Sequence, residues 1–135
     1  MVEVKTKHFR VFFIPHEDKT PHDEKAYFED ALEFLEELIE AEDWVEFLNE
    51  RVLYVETNAE NEVVEFQLAW GGPSLSVIAD SDGEISVEYR DWGYENLSGV
   101  EYLDESVRPR LTQIIKDLIE LRKQELIAEW TRRDY

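Results

Sequence analysis

Residues 63–90 read VVEFQLAWGGPSLSVIADSDGEISVEYR, and the spacing of apolar side chains in this stretch sets the fold class. Val64, Phe66, Leu68 and Trp70 alternate with Glu65, Gln67 and Ala69. After Gly71-Gly72-Pro73, Leu75 and Val77 alternate with serines over residues 74–79. After Asp80-Ser81-Asp82-Gly83, Ile85, Val87 and Tyr89 alternate with Glu84, Ser86, Glu88 and Arg90. A period of two, broken only by short turns, is the signature of antiparallel strands with one solvated face. Upstream, residues 51–56 (RVLYVE) read as a further strand, joined to residues 63–70 through the turn-rich TNAEN.

Working outward, residues 8–14 (HFRVFFI) also read as a strand. Phe9, Val11 and Phe13 share one face, Phe12 and Ile14 the other, and two apolar faces place a strand inside a sheet rather than at its rim. Thr20-Pro21 reads as a helix start, with a hydroxyl at the N-cap and proline at the first helical position. Asp23 and Glu24 then complement the helix dipole. Phe28, Leu32, Leu35 and Ile39, widened by Ala31 and Leu38, form the stripe of an amphipathic helix. Trp44, Phe47 and Leu48 mark a shorter second helix. The segment from Asp91 to Asp104 reads as a loop. A last helix is expected from near Asp104 or Ser106 towards Arg132, with Leu111, Ile114, Ile115, Leu118, Leu121, Leu126 and Trp130 on its apolar face and Pro109 in its opening turns. The order β-α-α-β-β-β-β-α describes an α+β fold: one domain over residues 1–135, with an antiparallel sheet of about five strands covered on one face by helices.

A chain of 135 residues, 43% hydrophobic and 13% aromatic, can bury a core without covalent staples. It contains no cysteine, which excludes disulfides, zinc–thiolate sites, iron–sulfur clusters and thiol nucleophiles. No stretch is long and apolar enough for a membrane span. The N-terminal MVEVKTKHFR has no apolar core of a signal peptide, so a cytoplasmic location is the expectation.

Charge is distributed unevenly. The net charge is −19. Residues 17–50 hold two bases and fourteen acids, net −12, and residues 51–104 hold two and twelve, net −10. Residues 1–16 are net +2 and residues 105–135 net +1. Such a chain repels phosphate backbones and anionic lipid and attracts basic proteins. On the first helix Glu29, Glu33, Glu36 and Glu40 repeat with the apolar stripe, flanked by Asp30 and Glu37. Like charges four residues apart cost about 0.2–0.5 kcal/mol per pair, and Lys25 is the only base within the helix. Four residues advance a helix by about 6 Å, a spacing of the same order as that of phosphates along a strand, so a carboxylate row can imitate a phosphate row. A purely solvating acidic surface accounts for the same pattern.

Motifs for chemistry are sparse. Asp80-Ser81-Asp82-Gly83 lacks the spacing of a calcium loop and reads as a hairpin turn. His16-Glu17-Asp18 with His22 has no zinc-ligand spacing. No serine lies in a nucleophile elbow, and Gly71-Gly72 precedes a strand rather than a helix, so it cradles no phosphate. No catalytic, cofactor or metal residues are assigned. Trp70 and Trp92 each precede a glycine at the ends of neighbouring strands. They read either as a core-capping pair or as an aromatic patch for a partner.

The motif AWGGP followed by YRDWG, within about residues 66–93, resembles small uncharacterised proteins encoded by phages and plasmids. The resemblance implies no established activity, only a mobile-element setting in which small acidic proteins often act against host defence. Three readings follow. In the first, the chain is a non-enzymatic acidic inhibitor of the anti-CRISPR or anti-restriction type, mimicking nucleic acid through Glu29, Asp30, Glu33, Glu36, Glu37 and Glu40. In the second, it is an antitoxin- or immunity-like inhibitor, or a complex subunit, that meets a basic protein through Trp70 and Trp92. In the third, its acidity serves solvation alone. The expected partner is a basic protein, with no direct nucleic acid, membrane or cofactor.

Overall fold

The computed structural model describes residues 1–15, 23–91 and 93–133, with side chains through residue 128. Seven strands form a single antiparallel sheet: β1 (Val2–Lys5), β2 (Phe9–Phe13), β3 (Tyr54–Asn58), β4 (Val63–Ala69), β5 (Ser74–Asp80), β6 (Ile85–Asp91) and β7 (Tyr94–Tyr102). Their order across the sheet is β1-β2-β7-β6-β5-β4-β3. Helices α1 (Glu24–Glu40), α2 (Trp44–Arg51) and α3 (Arg108–Arg133) cover one face. The α+β class and one-sided helical layer expected from the pattern are therefore present, with two more strands than expected.

The meander β3 to β7 follows from the alternation already described. Val64, Phe66, Leu75, Val77, Val87 and Tyr89 point into the core and are fully buried. The tight turn at residues 80–83 is held by the Asp80 carboxylate, which accepts from the backbone N–H of Asp82 at 2.9 Å and of Glu84 at 3.0 Å. Gly83 adopts φ +85°, a conformation open to glycine and costly for other residues. β2 lies between β1 and β7, in the interior position that its two apolar faces require.

Two strands are additions to the sequence reading. β1 is a four-residue edge strand that pairs Val4 with Val11. β7 occupies the segment read as a loop, and it is the longest strand. Its inward positions include Asn96 and Ser98, whose polarity hides the alternation. They are accommodated because Ser98 donates to Asn96 Oδ1 at 2.7 Å and the Asn96 amide donates to the Ile14 carbonyl at 3.2 Å. Element bounds also shift. Arg51 ends α2 instead of opening β3, which starts at Tyr54.

Helix α1 begins at Glu24, later than expected. Asp23 is its N-cap and accepts from the Ala26 N–H at 3.3 Å; Thr20 and Pro21 lie outside the described residues. Phe28, Ala31, Leu32, Leu35 and Leu38 are buried as the stripe required, and so is Phe34. Phe34 packs on Phe66 and on Phe47, with ring centroids 5.3 and 5.9 Å away. Helix α2 is capped by Asp43, which accepts from the Glu46 N–H at 3.1 Å.

A turn of 3₁₀ helix at Glu105–Val107 leads into α3, and Pro109 falls in the first turn of α3, where its missing N–H costs nothing. Leu111, Ile114, Ile115 and Ile119 are buried and Leu118 is half-buried. Among the described residues the apolar face then ends, against expectation: Leu121 and Leu126 are 48% and 41% exposed, and the Trp130 side chain lies outside the described residues. The helix has passed the sheet edge there, where Leu121, Arg122 and Glu125 border a groove with Tyr54–Thr57 of β3.

Candidate functional site: the outer face of the first helix

The six carboxylates singled out on α1 separate into two groups. Asp30 is engaged by Arg51 at 2.6 Å, and the Arg51 guanidinium also lies 5.9 Å from the centre of the Phe34 ring. This pair ties α2 to α1. Glu36 turns towards the β1–β2 turn, where it accepts from the backbone N–H of His8 at 3.0 Å and from the His8 ring. Both acids therefore hold the fold together.

Glu29, Glu33, Glu37 and Glu40 remain exposed. At 100° per residue they fall within about a quarter of the helix circumference. Lys25 approaches Glu29 at 3.9 Å, between two side chains that are each about half exposed. Such a contact is worth little. No described cation of α3 reaches these carboxylates. Arg108 pairs with Glu105 and Glu84, Arg122 with Glu125, and Arg110 donates to the main-chain carbonyl of Ala41 at 2.7 Å. Beyond the helix, the exposed Glu42, Glu46 and Glu50 continue the negative surface onto α2. The exposed row is thus Glu29, Glu33, Glu37 and Glu40, with Glu37 in the place that sequence spacing alone gave to Glu36.

Trp70 is not a core-capping residue. It is 77% exposed, at the end of β4 before Gly71. Trp92 lies outside the described residues, so the pairing of the two indoles is not described. Strand register puts Trp70 at the sheet end where Ser74 meets Arg90 and Asp91 meets Tyr94. α1 begins at that end, since the Tyr94 hydroxyl donates to Glu24 at 3.4 Å. Trp70 and the distal Glu40 therefore stand near opposite ends of the molecule. His16 and His22 lie outside the described residues, and among the described residues no group of three or more potential ligands converges on a metal position.

The chain matches no known protein family, curated protein or solved structure. Its function must be argued from the surface itself.

The bare face of the sheet opposite the helices was expected, but the part that β7 adds to it was not. This face carries Glu65 and Glu88 from recognised strands, and Leu97 and Gly99 from the unrecognised β7. Burial, partly opposed by Arg90 and reinforced by Glu95 and Glu65, pushes the Glu88 carboxyl above its ordinary range. The signal was present as alternation in YENLSGVEY, but it is legible only once Asn96 and Ser98 are accepted as inward-facing.

Proposed function

We propose that the chain is a non-enzymatic binding protein whose α1 outer face occupies the nucleic-acid groove of a basic protein. One observation carries the reading: Glu29, Glu33, Glu37 and Glu40 form an exposed row that no described cation of α3, the base-rich helix, neutralises. Carboxylates spaced by one helical turn present successive negative charges about 6 Å apart on a rigid rod, and rigidity lowers the ordering cost of binding. The resemblance of AWGGP…YRDWG to phage and plasmid proteins favours a defence component as the target, of the restriction or CRISPR kind.

The test replaces Glu29, Glu33, Glu37 and Glu40 by lysine, leaving Asp30 and Glu36 to their structural partners. Proteins retained by the immobilised wild type should be released by duplex DNA or RNA and should not be retained by the reversed variant. Retention of the same proteins by both, insensitive to nucleic acid, overturns the proposal. Affinity should also fall as salt rises. The exposure of Trp70 favours a second reading, an immunity-like contact through the sheet end. Under that reading Trp70→Ala, and not the charge reversal, removes binding.

A further inference from the structure

We infer that the uncovered face of the sheet is a second docking surface, fitted to a cationic amphipathic helix of another protein laid across Gly99. The inference is independent of the reading of α1, which lies on the opposite side of the sheet.

The observation that starts it is a glycine without a structural reason. Gly99 sits in β7, an interior strand. Glycine there forfeits side-chain packing and costs backbone entropy. Its backbone is not left-handed, and a Cβ built on it would meet nothing within 4 Å. Among the described residues neither conformation nor crowding demands glycine, whereas close approach of another chain does.

The surroundings form a shallow trough. Gly99 pairs with Ser86, and Ser86 with Ile78; Phe12 lies beside Gly99 in β2, next to the Val11–Val100 pair. One strand position along, Leu97 faces Glu88 and Glu88 faces Ser76. The floor is therefore Gly99, Ser86 and Ser76, with the Glu88 carboxylate between Ser76 and Leu97, and the apolar sides are Phe12, Ile78 and Leu97. Leu97 is 60% exposed and Phe12 37%.

Charge selects the occupant. Arg10 on this face is taken by Glu101 at 2.6 Å, and Arg90 by Glu88 at 3.0 Å and Glu95 at 3.6 Å. Glu3 closes the trough beyond Phe12, and Glu65 and Glu56 close it beyond Ile78. No ion pair among the described residues reaches these three acids. Apolar walls between acidic ends fit a helix with an apolar stripe flanked by lysine or arginine. A second copy of this chain would bring like charge against like, and nucleic acid and anionic membrane are repelled.

The test uses the whole chain and an amphipathic leucine–lysine helix of about five turns as probe, at about 0.15 M salt to screen non-specific attraction. Amide shifts should move at Phe12, Ile78, Ser86, Leu97 and Gly99, and a leucine–glutamate helix should move none. Gly99→Val should keep or raise the melting temperature, because the site is open and valine suits a strand, yet weaken the probe about tenfold or more. Leu97→Ser, at an exposed position, removes an apolar side without adding charge, should weaken it as well and guards against a Gly99→Val chain that fails to fold. The α1 reversal should leave shifts on the sheet face in place. Equal binding by wild type and Leu97→Ser, shifts confined to α1, absence of probe binding, or a dimer formed through this face each overturn the inference.

Discussion

The guanidinium of Arg110 donates to the carbonyl oxygen of Ala41 at 2.7 Å, so this arginine closes the C-terminal end of α1 through the main chain and not through a carboxylate. Helix ends leave carbonyls without internal partners, and a charged donor satisfies one of them. Arg110→Met should destabilise the chain by about 1.5–3 kcal/mol, the usual worth of a hydrogen bond to a charged group. Urea denaturation would measure the loss. Binding of a basic partner should be unchanged, since the arginine neutralises no carboxylate.

Like charges on α1 should make stability and binding oppose each other. Glu33 and Glu37 are one turn apart and both exposed. Glu37→Lys replaces that repulsion with an attractive pair, for a gain of about 0.5–1 kcal/mol. We expect a higher urea midpoint together with weaker binding to the basic partner. A midpoint that falls would mean that Glu37 has a structural partner.

Two glycines should respond oppositely to added side chains. At Gly83 a Cβ would lie 3.0 Å from Arg108 Cγ and from Thr112 Oγ1, on a backbone at φ +85°. The same corner holds the Tyr102 hydroxyl, which donates to the Gly83 carbonyl at 2.6 Å, and burial pushes that phenol up to about 12. Gly83→Ala should cost about 1–2 kcal/mol or more from left-handed strain alone, whereas Gly99→Val should cost nothing. Paired thermal melts compare them directly.

Phe34 joins three elements. It is fully buried in α1 and touches Phe66 of β4 and Phe47 of α2. Phe34→Ala should remove about 3–5 kcal/mol, by lost transfer energy and the cavity left behind. Calorimetry should show this as a larger loss than any surface change above.

Glu88 gives the pH dependence a definite sign. Its folded carboxyl titrates above the ordinary glutamate value, chiefly through burial. The protonated form is therefore favoured in the fold. Its contribution is present in full below the ordinary value and is lost as pH rises through the raised one. Glu88→Gln stays neutral throughout. It should raise the urea midpoint relative to wild type near neutral pH and change it little in acid, while the exposed Arg90 contact that it gives up is of small worth.

The sheet was legible where one face is apolar and the other polar, as in β4 and β6, because water and core then write opposite letters at alternate positions. β7 breaks that rule with Asn96 and Ser98 on the inner side, and its strand character comes from neighbours far along the chain. The start of α1 was misplaced because Thr20-Pro21 and Asp23 are both sound caps, and local chemistry does not rank them. On α1, spacing alone could not separate Glu36 from Glu37, since the partner that distinguishes them is His8, 28 residues away. Exposure of Trp70 was equally hidden: an indole beside glycines satisfies either reading until the packing is known.

The position of β2 between β1 and β7 has a kinetic consequence. Hairpins from β3 to β7 join near neighbours and can zip early, as local contacts do. The β1–β2 hairpin joins the rest of the sheet only through β7, for Arg10 meets Glu101 across a sequence separation of 91. Of the strand pairings in the sheet, β2 with β7 closes the longest loop, and it carries the largest closure entropy for that reason.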